Sequence, residues 1–299
     1  MEKKGLVSII VCSYNHSKYI EENLDSIKNQ TYKNIQLIVA DDASKDNSVK
    51  VFENWLSENN YPAEKNFHQK NTGLATMLNE CIESVKGEFV KVIAADDYLH
   101  PEAIEKSVKE LERLGDDYGM VFTDTYFVNE ESEITEDLAD YNTLGNIDKD
   151  LFRKELIKNN RIAALTVLMR KNVLVETGKY KSDLLIEDYF RWLKINALYY
   201  IAYIPEKLAY YRTHTTNLSS SAKERIEKES LLLQMLFDED GAVKQKINSK
   251  TQKLYLNGEK FSREYLQAYN NYPYHLKRLN FALKNKIPRP LYKLLNKII

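Results

Sequence analysis

The chain has 299 residues, 43% of them hydrophobic and 29% charged, and its formal net charge at pH 7 is −1. No apolar stretch approaches the roughly 20 residues of a membrane span, and the first residues lack the long apolar core of a secretory signal. Two cysteines are too few for a disulfide framework and form no Cys-x-x-Cys metal motif, so we expect a globular protein of the reducing cytoplasm.

The first part of the chain alternates between strand-like and helix-like patterns. Continuous apolar runs at residues 6–12 and 35–42 predict two buried strands of a parallel sheet. After each run, apolar side chains recur at helical spacing, in residues 19–27 and 49–56. The order strand, helix, strand, helix is typical of an α/β fold.

The same alternation continues through the following residues. A third helix is expected from Leu74 to Val85, with Gly87 as its cap, and EFVKVIAA then forms the next strand. Pro101 opens a helix that ends near Gly115, and YGMVFTDTYFV predicts a further strand. We therefore predict a doubly wound sheet with helices on both faces, in which ligands bind beyond the carboxyl ends of the strands.

The chain is expected to consist of a sheet domain at residues 1–218 and a helical appendage at residues 219–299. The segment IEDYFRWLKINAL predicts one more helix in the first of these. In the second, an apolar pattern predicts a helix at Leu231, Leu232, Met235 and Leu236. The segment KLYLNGEKFSREYLQAYN predicts another helix of the appendage.

Polar side chains follow three of the predicted strands. Asp41 and Asp42 end the second strand, Asp96 and Asp97 end a later one, and residues 13–15 follow the first. Because the carboxyl ends of parallel strands meet at one edge of a sheet, these groups converge, and four carboxylates there need a cation. Oxygen ligands favour Mg²⁺ or Mn²⁺ over Zn²⁺, and such a metal suits a diphosphate. Solvated aspartates that cap helices are the alternative.

An ordered set of segments resembles one enzyme family. Along the chain, these segments are VSIIVCSYN, QTYKNIQLIVADDASKDNS, NTGLATMLNECIESVKGEFVKVIAADDYLHP and IEDYFRWL. They are similar to the family 2 glycosyltransferases of GT-A fold, over residues 6 to about 214. The resemblance implies a mixed, mostly parallel GT-A sheet and transfer of a sugar from a nucleotide-sugar, with inversion at the anomeric carbon. A UDP-sugar is the expected donor.

The resemblance implies that two loops and one acidic residue bind the nucleotide. The loop that holds the base and ribose matches Cys12, Ser13, Tyr14 and Asn15. Tyr14 could stack on a uracil, and the alternative is an ordinary buried tyrosine of the loop. Cys12 stands where the family commonly has proline. Asp42 matches the acid that accepts a hydrogen bond from the base. Asn71 opens a segment, residues 71–79, that closes over the nucleotide.

The resemblance also implies a metal. Asp96 corresponds to the last acid of the family's Asp-x-Asp motif, which holds Mn²⁺ or Mg²⁺ on the donor diphosphate, and Asp97 is its neighbour. Ala94 occupies the position of the first acid, so fewer carboxylates are available. The segment EKLAYYRTHTTNLSSS resembles one that reaches the diphosphate or the metal, with Arg212 and His214 as candidates. A structural role is the alternative for His214.

A general base is expected at the start of the helix that contains IEDYFRWL. A single displacement requires the acceptor hydroxyl to lose its proton, and Glu187 and Asp188 resemble the family's Glu-Asp pair, whose Asp is the base. We therefore predict Asp188 as the catalytic residue. Alternatively, both acids only complement the helix macrodipole. Trp192, one helical turn further, is either an acceptor platform or a core residue.

The expected reaction is transfer of a single sugar. The chain has no Gln-x-x-Arg-Trp motif, which marks processive members of the family. The acceptor is then a saccharide or a lipid-linked saccharide in surface polysaccharide biosynthesis, and no nucleic acid is expected as a partner. Two alternatives remain: a non-catalytic nucleotide-sugar-binding protein, which needs Asp42 and Asp96 but no base, and an interaction protein that binds no nucleotide.

The tail, residues 273–299, combines seven Lys or Arg residues with no acid. One apolar stripe is predicted at Leu276, Leu279, Leu283 and Ile287, and a second, after Pro290, at Leu291, Leu294, Leu295 and Ile298. Cations beside apolar stripes favour attachment to anionic lipid, here at the inner face of the cell membrane. A tail docked on the acidic remainder of its own chain, or on a partner subunit, is the alternative.

Overall fold

The computed structural model describes residues 3–136, 148–214 and 222–297. The chain divides into two compact units, one formed by Met1–Arg153 with Arg161–Asn217, the other by Lys154–Asn160 with Leu218–Ile299. No helix in the described ranges is long and apolar enough to cross a membrane.

The first unit is built on one mixed sheet. Its strands are β1 (Lys3–Ser13), β2 (Ile35–Asp41), β3 (Ala63–Phe67), β4 (Gly87–Ala94), β5 (Tyr98–Leu99), β6 (Tyr118–Val128), β7 (Ile134–Glu136), β8 (Leu168–Arg170) and β9 (Tyr200–Arg212). In the described residues their order is β3-β2-β1-β4-β8-β6-β9-β5, and β7 pairs with β6. The four neighbouring strands β3, β2, β1 and β4 are parallel to one another, and so are β6 and β9. Strands β5, β7 and β8 are antiparallel to their partners.

Helices cover both faces of this sheet, as predicted. They are α1 (Ile20–Lys28), α2 (Ser48–Glu58), α3 (Leu74–Glu83), α4 (Ala103–Leu114), α6 (Lys171–Glu176) and α7 (Glu187–Leu198). Helix α5 (Lys149–Lys158) begins in this unit and ends in the other. Successive side chains of a strand point to opposite faces, and Val7, Ile9 and Ile10 of β1 are each 0% exposed. Burial on both faces explains why β1 is a continuous apolar run in the sequence.

Gly87 does not cap the third helix, contrary to the prediction. Helix α3 ends at Glu83 with Ser84 as its C-cap, and Gly87 is the first residue of β4. A Cβ atom at Gly87 would lie 2.5 Å from the backbone oxygen of Leu6 and 2.8 Å from the amide nitrogen of Ser8. The glycine is therefore required because β4 begins in close contact with β1.

Strand β3 was not predicted from the sequence. In the described part of the chain it pairs only with β2, and each of its side chains is partly or fully exposed. Only Ala63 and Phe67 of this edge strand pack against the core, and both only in part, so the sequence shows no continuous apolar run here.

Lys91 is a charged residue in the core of the first unit. It lies in β4 and is 2% exposed, and its Nζ atom donates to the carbonyl oxygens of Leu165 at 2.7 Å and Val167 at 3.2 Å. Burial lowers the pKa of Lys91 to about 7. Near neutral pH, the folded protein therefore holds this proton less tightly than the unfolded chain does.

We expect Lys91 to make stability depend on pH above neutrality. From pH 7 to pH 9 the unfolded lysine stays protonated while the folded one loses its proton, so the free energy of unfolding rises with pH. This rise should be on the order of 1–2 kcal/mol larger in the wild type than in Lys91→Met, which cannot titrate. Urea denaturation of both proteins at pH 7 and pH 9 measures the difference, and equal changes in the two proteins would contradict the expectation.

Besides the end of α5, the described residues of the second unit contain five helices: α8 (Lys223–Phe237), α9 (Lys244–Asn257), α10 (Arg263–Asn271), α11 (Lys277–Lys284) and α12 (Arg289–Lys297). The segment KLYLNGEKFSREYLQAYN is not one helix, contrary to the prediction. Helix α9 ends at Asn257, and its C-cap Gly258 has a left-handed φ of 93°. Helix α10 starts after Ser262, whose side chain accepts from the amide of Tyr265.

The predicted apolar stripe of the tail is mostly a core face. Leu279 and Leu283 of α11 are buried in the apolar cluster of the second unit, and Ile287 is partly buried against it, whereas Leu276 is 44% exposed. In the second stripe, Leu291 and Leu294 are exposed. The side chain of Leu295 and residue Ile298 lie outside the described residues.

Candidate functional site

The loops that follow β1, β2 and β4 lie side by side at one edge of the sheet. The amide of Asp42 donates to the carbonyl oxygen of Ser13 at 3.0 Å, and the amide of Ala95 donates to that of Cys12 at 2.8 Å. Both contacts continue the parallel pairing of β1 with β2 and β4. The structure therefore brings together the polar residues that follow these strands.

Three side chains at this edge form a group that can hold a metal ion. They are His16, Asp96 and His214, and one potential ligand atom of each lies within 4.8 Å of the other two. His214 Nε2 and Asp96 Oδ2 are 2.9 Å apart, whereas His16 Nδ1 lies 3.7 Å from Asp96 Oδ1. Imidazole and carboxylate groups are common ligands of divalent metals. We call these three residues the His-Asp-His group.

Two atoms of the His-Asp-His group are buried without a hydrogen-bond partner among the described residues. They are Oδ1 of Asp96 and Nδ1 of His16. A buried polar atom with no partner costs about 1–3 kcal/mol, so its persistence favours a ligand at this point. Burial lowers the pKa of His16 although the Asp96 carboxylate acts to raise it. The residues present therefore fit a divalent cation.

Asp97, which was predicted to bind the metal beside Asp96, is not part of the His-Asp-His group. Its Oδ1 accepts a hydrogen bond from the amide of Arg212 at 2.9 Å, and its carbonyl oxygen accepts from Nδ2 of Asn23 at 2.8 Å. Burial, followed by the charge of Asp96, raises the pKa of Asp97 well above the usual range of aspartate. The structure places this carboxyl group against the backbone of β9.

Arg212 is 0% exposed and contacts protein groups on several sides. Its Nε donates to the carbonyl oxygen of Asp96 at 2.8 Å, and Nη1 donates to that of Asn129 at 2.8 Å. Its Nη2 contacts the carboxylate of Glu22 and donates to Oγ of Ser132 at 3.1 Å. The structure thus does not bring this predicted diphosphate ligand to the surface, and instead joins it to the backbone that carries Asp96.

The four residues predicted to contact the nucleotide lie at the end of β1 and in the loop that follows it. Cys12 and Ser13 are buried, whereas Tyr14 is 41% exposed and is not an ordinary buried tyrosine. Asn15, with a φ of 61°, connects this loop to the next one. Its amide donates to Oγ of Ser44 at 2.7 Å, and its side-chain oxygen accepts from the amide of Lys45 at 2.8 Å. The two loops therefore hold each other in place.

Asp42 is buried and already bonded to protein donors. Its Oδ1 accepts from the amide of Thr72 at 2.8 Å and lies 2.9 Å from Nδ1 of His68, and its Oδ2 accepts from the amide of Gly73 at 2.8 Å. Burial acts to raise the pKa of Asp42, but these hydrogen bonds, led by that from Thr72, lower it overall. Asn71, at the start of the same segment, is exposed.

The sequence model of the family described as Glycosyl transferase family 2 matches residues 8–174. The chain belongs to this family. An uncharacterized glycosyltransferase of Haemophilus influenzae is 32% identical over 231 residues, which are 74% of this chain and 69% of that protein.

Solved structures of glycosyltransferases share the fold of this family 2 glycosyltransferase. The complex of S. aureus TarS, residues 1–349, with UDP-GlcNAc gives a TM-score of 0.66 at 18% identity, covering 96% of this chain and 86% of that chain. The mannosyltransferase PcManGT of Pyrobaculum calidifontis, in complex with GDP-Man and Mn²⁺, gives 0.60 at 17% identity, covering 96% and 71%. The expected GT-A fold is confirmed.

Asp188 lies in the first turn of α7 of this glycosyltransferase. Its Oδ1 accepts from the amide of Tyr189 at 2.6 Å, and its side chain is partly buried. Trp192 is 2% exposed, which makes it a core residue and not an exposed acceptor platform.

Two histidines of this glycosyltransferase were not predicted as site residues. His16 belongs to the His-Asp-His group, and its position directly after Asn15 in the predicted nucleotide loop was the available signal. His68 contacts Asp42 and lies 2.7 Å from Glu80 through its Nε2. No signal pointed to His68, because it directly follows the unpredicted strand β3.

Proposed function

We propose that this glycosyltransferase moves one sugar from a UDP-sugar to a saccharide or lipid-linked saccharide acceptor, with inversion at the anomeric carbon, in surface polysaccharide biosynthesis. The observation that carries the proposal is the His-Asp-His group, which lies at the same sheet edge as Asp42 and the loop after β1. In this arrangement, the metal would hold the donor diphosphate while the nucleotide base lies in the loop after β1. The UDP-GlcNAc in the TarS complex supports UDP as the nucleotide.

Asp96 and His214 would hold a divalent ion, Mn²⁺ or Mg²⁺, whose charge offsets that of the departing nucleoside diphosphate. The buried Oδ1 of Asp96, which has no hydrogen-bond partner among the described residues, supports this assignment, as does the Mn²⁺ in the PcManGT complex. Arg212 and Asp97 act here as positioning residues, because they connect the backbone around Asp96 to β9.

Asp188 is the general base of the proposed reaction. In an inverting transfer, the acceptor oxygen forms its bond to the anomeric carbon while the bond to the diphosphate oxygen breaks. The acceptor hydroxyl loses its proton in this step, and the carboxylate of Asp188 receives it. Its partly buried carboxylate in the first turn of α7 supports this role.

A panel of UDP-, GDP- and dTDP-sugars, each with and without Mn²⁺, tests the proposed function. We expect a UDP-sugar to raise the melting temperature most when Mn²⁺ is present, and to be hydrolysed slowly when no acceptor is added. Binding without hydrolysis or transfer would indicate a non-catalytic nucleotide-sugar-binding protein. No binding of any donor would indicate an interaction protein.

The last two helices support attachment to an anionic membrane surface. Within residues 273–294, large apolar side chains and cations are exposed together. This basic tail surface consists of Leu276, Phe281, Leu291 and Leu294 with Lys277, Arg278, Lys284, Lys286, Arg289 and Lys293. Apolar side chains flanked by cations bind anionic lipid interfaces. We propose that this surface holds the enzyme at the inner face of the cell membrane.

We expect the paired changes Phe281→Ser and Lys284→Glu to weaken binding to phosphatidylglycerol vesicles about tenfold or more, since each cation contributes about 1 kcal/mol. Point changes are preferable to deletion of the tail, because deletion would remove core residues such as Leu279. Co-sedimentation of the full chain measures binding. Lys253→Glu, at an exposed position of α9, is the control of equal charge change, and equal loss in both variants would contradict the proposal.

A further inference from the structure

We infer that His16 is a third protein ligand of the divalent ion, in addition to Asp96 and His214. The inference rests on the proposed function and deepens it, because it concerns the metal preference of the same site. Its starting point is that Nδ1 of His16 and Oδ1 of Asp96 are both buried and have no hydrogen-bond partner in the described ranges. The Asp96 side chain is only 9% exposed.

The distances within the His-Asp-His group match those between ligands of one ion. The 3.7 Å between His16 Nδ1 and Asp96 Oδ1 exceeds the roughly 3.2 Å limit of a good N–H···O hydrogen bond. Ligand bonds of about 2.1 Å put adjacent ligands about 3.0 Å apart and opposite ligands about 4.2 Å apart. The 3.7 Å separation lies between these two values, and the 2.9 Å between His214 Nε2 and Asp96 Oδ2 is close to that of adjacent ligands.

The backbone at His16 is held in place by the loop after β2 and by the first residue of α2. The amide of His16 donates to Oγ of Ser48 at 3.1 Å, and the amide of Ser17 donates to Oδ2 of Asp46 at 3.0 Å. The carbonyl oxygen of His16 accepts from the amide of Tyr19 at 2.9 Å. The ring of Tyr19 also stacks on that of His214, with centroids 6.0 Å apart. Both imidazoles are thus positioned before an ion arrives, which reduces the entropy lost on binding.

Two imidazole ligands change the metal preference of the site. Mg²⁺ is bound in proteins mostly by oxygen ligands and keeps several waters, whereas first-row transition metals also accept imidazole nitrogen. A site with two histidines and one carboxylate therefore binds Mn²⁺ more tightly than Mg²⁺. Without His16, one imidazole and one carboxylate remain and the preference for Mn²⁺ becomes smaller.

Titration of the full chain with Mn²⁺ and with Mg²⁺, without any donor, tests the inference. We expect His16→Ala to lower the affinity for Mn²⁺ about tenfold or more and the affinity for Mg²⁺ much less. His16→Asp returns an oxygen ligand and should restore binding with a preference shifted toward Mg²⁺. His275→Ala, in the second unit, is the control and should match the wild type. Unchanged Mn²⁺ affinity and unchanged preference in His16→Ala would overturn the inference.

Pulsed electron paramagnetic resonance of bound Mn²⁺ gives a readout that does not depend on affinity or activity. We expect couplings to two histidine nitrogens in the wild type and to one in His16→Ala. One coupled nitrogen in both proteins would overturn the role of His16 while leaving a metal at Asp96 and His214 intact. A wild-type chain that binds no Mn²⁺ would overturn both the inference and the proposed metal dependence.

Discussion

Asp188→Asn is expected to lower kcat about a thousandfold while leaving donor affinity within about twofold of the wild type. General base catalysis typically contributes about 10²- to 10⁴-fold, and an amide of the same size cannot accept the proton of the acceptor hydroxyl. The amide oxygen can still accept from the backbone of Tyr189, so the start of α7 should be preserved. Initial rates of transfer and calorimetric titration with donor measure the two quantities.

Asp150→Asn is the matched control for this prediction, because Asp150 is an exposed acid in the first turn of α5. If Asp188 only complements the helix macrodipole, both variants should lose at most about 1 kcal/mol of stability and keep their turnover. Near-normal turnover of Asp188→Asn would therefore remove its assignment as the base, while the nucleotide and metal contacts could be tested separately.

Arg212→Lys is expected to lower the free energy of unfolding by about 3 kcal/mol, although it keeps the positive charge. Lysine carries one nitrogen and cannot contact the carbonyl oxygens of Asp96 and Asn129 and the carboxylate of Glu22 together. Each buried acceptor that loses its donor costs about 1–3 kcal/mol. Chemical denaturation measures the change.

Arg113→Lys is the control, since Arg113 is largely exposed on α4 and its exchange should change stability by no more than about 0.5 kcal/mol. We also expect weaker Mn²⁺ binding by folded Arg212→Lys, because the backbone at Asp96 loses one of its hydrogen bonds. If Arg212 instead contacts the donor diphosphate, the variant would keep its stability and lose donor affinity even when Mn²⁺ is absent.

The central strands could be predicted because each consists of consecutive apolar residues. Strands β1, β2 and β4 lie inside the sheet, so both faces are apolar, and their parallel order predicted that Ser13, Asp42 and Asp96 would meet at one edge. The edge strand β3 has no such run. Gly87 was misassigned because a glycine after a helical pattern has the same appearance whether it caps the helix or permits close packing against Leu6.

The partners of the site residues could not be predicted, because they come from distant parts of the chain. Arg212 resembled a diphosphate ligand by its position in a motif, but its contacts with Glu22, Asn129 and Ser132 depend on how β9 packs beside the loop after β6. A single histidine such as His16 has no periodicity or spacing in the sequence. Its proximity to Asp96 appears only after the first and fourth strands are paired.

The hydrogen bonds that Asp42 already makes have a consequence for turnover. In the proposed nucleotide site, a base that donates to Oδ1 of this carboxylate competes with Thr72 and His68, so one set of contacts is exchanged for another of similar number. The net gain in free energy is then small, and the backbone segment can reclaim the carboxylate once the sugar has left. Such competition favours rapid departure of the spent nucleotide.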